Sequence, residues 1–285
     1  MNGTFSLIID YLVNVGKVSL LQLLVLFGPL LFLAFLMHFL SLLNQYLSFN
    51  TLGKTIYIYL FGWLGITFHE MGHAMFAVLF GHKVKEIKLF KPDPKSGSMG
   101  YVMHSYNTKN IYHQIGNFFI GIGPVLMCVF VLYLLSRFLI KVPFSKFPTF
   151  EFLPDGFGAW AWVKQQTIDS WASISIFFGS IYNDDHSSWW KLLLFIYFFY
   201  AVGSFITLSP SDIKSAGMGF MIIVLLFLIF NVCTLWMGNF ALTGLTKVNF
   251  FLSGFYSIML LAILLQLVFI AILSIFYLLF KLLIK

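Results

Sequence analysis

His69-Glu70-Met71-Gly72-His73 puts two imidazoles and a carboxylate within five residues. On a helix, positions i and i+4 share a face, so both rings can reach one metal ion. Glu70 follows the first histidine directly, where its carboxylate can exchange a proton with water held at that metal. In an aqueous protein the pattern would point to zinc-assisted hydrolysis. Here residues 56–80 are almost all apolar, which puts the chemistry at membrane depth. Ionisable side chains are costly there, and the first reading of such a residue is functional.

A hydrolytic zinc site takes three protein ligands and leaves one position open. His69 and His73 supply two, and the third can be sought by elimination. The glutamates are Glu70, Glu86 and Glu151. Glu70 is assigned as the base, Glu86 falls in a polar hairpin, and Glu151 falls in a loop on the far side. Asp10, Asp93, Asp155, Asp169, Asp184 and Asp185 lie in polar or interfacial stretches. Asp212 stands apart, in Leu208-Ser209-Pro210-Ser211-Asp212 between two apolar runs. Pro210 should disrupt the helix there, and irregular backbone at membrane depth is tolerated where it lines a cavity. Asp212 is thus the expected third ligand, with His104 and His113 as competitors; His38, His82 and His186 fit less well. A plainer role for Asp212 is to cap a helix starting near Ile213.

The elements that must position these groups follow from composition. Sixty per cent of the 285 residues are hydrophobic, 9% are charged, and mean hydropathy is +0.93. Soluble domains carry about 25% charged residues, so an integral, multi-pass membrane protein is expected. The net charge of +7 does not imply nucleic acid, because the lysines occupy short loops and chain ends. Cys128 and Cys233 each sit in an apolar run and read as packing thiols. No cleavable signal peptide is evident, and Met1 to Gly16 reads as an interfacial lead-in.

Crossing the hydrocarbon core takes about 20 apolar residues. Six segments qualify, at 18–43, 56–80, 111–140, 189–208, 216–237 and 252–280. Between the second and third, two short runs flank Pro92-Asp93-Pro94-Lys95-Ser96-Gly97 and predict a β-hairpin over 82–106. The 141–188 stretch, rich in Phe, Trp and Pro, reads as an extramembrane aromatic loop with a short helix near 158–178. The division is then a first helix within 1–55, a core over 56–237 and a last helix within 238–285. Lys and Arg divide ten to seven in favour of the side holding the hairpin and both termini, which predicts cytoplasmic termini.

The chain resembles the site-2 protease family of intramembrane zinc metalloproteases (peptidase family M50), and within it the M50B-like branch. His69-Glu70-Met71-Gly72-His73-Ala74 is similar to the family's catalytic helix. Phe80-Gly81-His82-Lys83-Val84, with Gly100-Tyr101-Val102, is similar to its following β segment. Gly121-Ile122-Gly123-Pro124 resembles the small-Gly-Pro motif of the next core helix, and Ser209-Pro210-Ser211-Asp212 stands where the family has its Asp motif. The resemblance spans about 56–237. It departs where Ile213 follows Asp212 instead of glycine, and where no Asn follows Pro124; Asn117 is a substitute candidate for an oxyanion-stabilising group.

The resemblance implies an all-α polytopic fold with a site-2 protease-like core. It implies Zn²⁺ held by His69, His73 and Asp212, Glu70 as catalytic base, and cleavage of membrane-protein substrates in or near a transmembrane helix. The substrate must unwind, and a strand of the hairpin can hold it by β-addition. The competing function is a metal transporter using the same three residues, but paired repeats and polar residues through several spans, expected of transporters, are not seen.

Overall fold

The computed structural model describes residues 2–93, 99–146, 148, 159–183, 189–238 and 240–283. The first helix, α1, runs Asn2–Thr51 without interruption. The expected lead-in is therefore part of the helix, whose apolar run extends from Phe5. Pro29 lies inside it, tolerable in a membrane helix because neighbours re-satisfy the freed carbonyl.

The segment read as one span at 56–80 is made of three helical pieces. They are α2 at Lys54–Tyr57, a π-turn at Ile58–Gly62 and α3 at Trp63–Leu79. Gly53, at φ 87°, makes the bend after α1, a conformation that glycine adopts without steric cost. The joints at Ile58 and Trp63 keep right-handed helical angles, so the run is continuous. It is not among the helices that are long and apolar enough to cross a membrane, so the span expected at 56–80 is not recovered as one.

Strands β1 (Lys83–Lys88) and β2 (Tyr101–Ser105) pair antiparallel, with a bulge between Val84 and Glu86. Residues 94–98, which include the last four of the turn cluster, lie outside the described residues. Helix α4 follows at Ile111–Leu139, capped by the Asn110 side chain, which accepts from Tyr112 N–H. Helix α5 occupies Ala159–Asn183, longer than expected. The 149–158 and 184–188 parts of the aromatic stretch, including Glu151, Asp155, Asp184, Asp185 and His186, lie outside the described residues.

Helix α6 (Trp189–Gly203) ends five residues before the sequence suggested, and α7 (Pro210–Thr234) begins six residues earlier. Pro210 starts α7 rather than interrupting a helix: at the first position its missing N–H costs nothing. The last helix, α8, runs Phe240–Leu283.

Four described helices are long and apolar enough to span a bilayer: those at 5–51, 111–139, 210–237 and 252–283. Trp189–Gly203 is a shorter apolar helix. Of the four, α4 is the most enclosed and α7 the least. Phe118, Ile122, Val125, Val129 and Leu132 of α4 form the centre of the core. Around them lie Leu23, Phe27 and Met37 of α1, Phe195 and Phe199 of α6, and Tyr256 and Met259 of α8. Large apolar side chains such as Phe32, Phe35, Leu225 and Ile229 cover the outside, as an integral membrane protein requires.

Candidate metal centre

Two close approaches bring the site together, both on α4. A Cβ on Gly72 would lie 2.5 Å from the Gly123 carbonyl oxygen, and a Cβ on Gly123 would lie 2.8 Å from that of Gly72. Helices α3 and α4 therefore touch backbone to backbone. Two residues earlier on α4, a Cβ on Gly121 would lie 2.7 Å from both the Asp212 carbonyl oxygen and the Ala216 Cβ. That face admits the first turn of α7. The Gly-Ile-Gly sequence thus docks one helix at each glycine, small residues allowing the close contact.

The result is a cluster of His69, His73 and Asp212, with one potential ligand atom from each within 4.8 Å of the others. His73 Nε2 lies 3.5 Å from Asp212 Oδ1, with both side chains mostly buried. Each ring uses its other nitrogen elsewhere. His69 Nδ1 is 3.2 Å from the Phe205 carbonyl oxygen, and His73 Nδ1 is 2.8 Å from that of Ile120. A carbonyl only accepts, so Nδ1 carries a proton in each ring, and the neutral form of each ring has its lone pair on Nε2. A ligand histidine is commonly oriented in this way.

Asp212 divides its oxygens. Oδ2 accepts from the Ser209 N–H at 2.9 Å, while Asp212 N–H donates to Ser209 Oγ at 3.2 Å. This is a capping box in which Ser209, not Asp212, is the cap. The capping box engages Oδ2, whereas Oδ1 is the oxygen that faces His73. Two imidazole nitrogens and a carboxylate oxygen form a donor set suited to zinc, which in catalytic sites takes three protein ligands and a water.

Glu70 is buried beside this cluster. Its Cγ would be 2.8 Å from a Cβ placed on Gly100, so the side chain runs under the start of β2. The competing histidines form a separate group. His82 Nδ1 and His104 Nδ1 are 3.0 Å apart, His82 Nε2 donates to the His113 carbonyl at 2.8 Å, and Tyr106 stacks on His82. His38, in α1, has an Nδ1 with no hydrogen-bond partner among the described residues. Asn117 is buried on α4, and Cys128 is enclosed in the core while Cys233 is exposed.

The ring-orienting carbonyls of Ile120 and Phe205 escaped the sequence reading. Pro124 was the available signal for the first, since proline leaves the carbonyl four residues back without its helical donor. Nothing in the chain order marked Phe205.

Apolar spanning helices around a buried His/His/Asp cluster define a membrane protein with a candidate hydrolytic metal centre. Residues 32–140 match the family model described as Peptidase M50B-like. The match agrees with the resemblance read from the motifs of this stretch and supports a membrane metalloprotease in general. The matched stretch holds α3, the hairpin and α4, whereas Asp212 lies beyond it. No curated protein and no solved structure matches the chain.

Proposed function

We propose that this protein is an intramembrane zinc endopeptidase that hydrolyses peptide bonds in or beside transmembrane segments of membrane-protein substrates. The observation that carries the reading is the meeting of His69, His73 and Asp212 within 4.8 Å, next to Glu70, in helices buried among apolar spans. His69 and His73 would hold the ion through their imidazoles, and Asp212 through its carboxylate. Zinc in such a donor set supplies Lewis acidity and makes water a competent nucleophile near neutral pH. Glu70 takes the proton from the attacking water and returns it to the departing amine. Its burial under Gly100 keeps the carboxylate beside the hairpin.

A transmembrane helix exposes no scissile amide until it unwinds, and its freed N–H and C=O groups then need partners. In this reading an open edge of the β1–β2 hairpin provides them by strand addition. The core, residues 56–237, carries the chemistry; 1–55 and 238–285 flank it, with both termini cytoplasmic.

The test is Glu70→Gln in the full chain, purified in detergent or nanodiscs. Zinc should remain at one equivalent while cleavage of co-expressed membrane proteins stops. Continued cleavage would overturn the assignment of Glu70. Zinc flux into proteoliposomes that survives the substitution would favour transport.

A further inference from the structure

Pro124 sits inside α4. A helical carbonyl is normally filled by the N–H four residues on, and for Ile120 that residue is Pro124, which has none. The donor actually facing the Ile120 oxygen is His73 Nδ1, at 2.8 Å. The approach is possible because Gly72 and Gly123 let the two backbones meet beside it. A helix that filled its own carbonyl would leave His73 competing with a backbone amide for the acceptor.

We propose that Pro124 is a positioning residue for His73: by withholding its N–H it reserves the Ile120 carbonyl for the imidazole and so presents Nε2 to the metal. The hydrogen bond stands without any assumption about the ion; its consequence for zinc rests on the proposed function. Helix α4 gives up an internal bond, and α3 gains a fixed ring.

The experiment compares proline, alanine and lactic acid at position 124 of the full chain. Pro124→Ala restores the amide N–H. Lactic acid has the same side chain as alanine but an ester oxygen in place of that N–H. In zinc-free protein at about pH 8, where imidazole is neutral, nitrogen-15 spectra of labelled histidine report the tautomer of His73. Its signal is assigned by difference with His73→Gln. The parent chain should show the Nδ1–H form, alanine should shift it toward Nε2–H, and lactic acid should return it. Zinc affinity, measured against a competing chelator, should fall about tenfold to a hundredfold with alanine and recover with lactic acid. The thermal midpoint of the zinc-free alanine variant should stay level or rise.

An unchanged tautomer in Pro124→Ala would overturn the proposal. So would alanine and lactic acid behaving alike, or a Pro124→Ala chain that does not fold, because each would assign Pro124 to the shape of α4 instead. The tautomer shift in Pro124→Ala together with a parent chain that binds no zinc would leave the positioning in place and sink the metal reading alone.

Discussion

At Asp212 one carboxylate serves two neighbours, the Ser209 N–H through Oδ2 and the His73 side through Oδ1. Asp212→Asn keeps an oxygen for the cap and loses the charge. It should change thermal stability little but lower zinc stoichiometry. Asp212→Ala should lower zinc as well and cost about 1 kcal/mol more in unfolding free energy, the usual net worth of the one hydrogen bond it would lose to Ser209 N–H. Equal zinc content in all three proteins would remove Asp212 from the site. Gly72→Ala is expected to act more broadly. Its methyl would meet the Gly123 backbone at 2.5 Å, and backbone cannot rotate out of the way. Overpacking of this kind costs about 1–3 kcal/mol. Separation of α3 from α4 should also weaken zinc binding, which thermal unfolding and metal analysis on one preparation would read together.

At the scale of elements, α4 is the hub: α3 docks at Gly123, α7 at Gly121, and the hairpin is tied to the first turn of α4 through His82. The His82–His104 contact makes that tie sensitive to acid. Burial holds His82 below the ordinary imidazole value of 6.5, the backbone bond to His113 opposing and the His113 ring assisting. Burial also lowers His104, with His82 and then His73 adding to the effect. A lowered value in the docked state means that the released state binds more protons, so docking is favoured at high pH. It should be fully present above about pH 6.5 and be lost as pH falls through the depressed values. Hydrogen exchange of the 82–106 amides, corrected for intrinsic rates, should show protection declining over that range. Protection constant down to about pH 5 would show that the pair does not hold the hairpin.

Across the whole molecule, α1 and α8 pack on one another, with α7 also against α1, and with α4, α5 and α6 also against α8. Their contribution is polar as well as apolar. Gln266 of α8 donates to the Gly203 carbonyl at 2.5 Å, and Asn44 of α1 donates to Ser204 Oγ at 3.1 Å. Tyr57 stacks on Phe205. These contacts secure the end of α6, whose continuation carries the Phe205 carbonyl that faces His69. Gln266→Leu should therefore loosen a segment far from α8 in sequence. The expected loss is about 1 kcal/mol, the range of interhelical hydrogen bonds in membranes, with a parallel fall in zinc affinity. A loss of stability with affinity intact would limit Gln266 to packing. Asn231 makes a second polar clasp, donating to Ser19 Oγ and Gln22 Oε1 of α1, and it anchors the far end of α7, which carries Asp212.

The sequence by itself determined the membrane class, the i and i+4 histidines with Glu70 beside them, the hairpin after them, and a short roster of possible third ligands. These are local properties: hydropathy over some 20 residues, helical periodicity and the scarcity of acidic side chains all stand in chain order. Helix ends were less legible, because Pro210 disrupts a helix when interior but starts one at its first position, and only the Ser209 cap distinguishes the two. The tertiary structure alone decided that Asp212 meets His73, that Gly121 and Gly123 face different helices, and that His82 and His104 pair away from the cluster. It also decided which carbonyls orient the two rings. Such contacts depend on how close two backbones come, and that distance is set by packing between residues far apart in the chain.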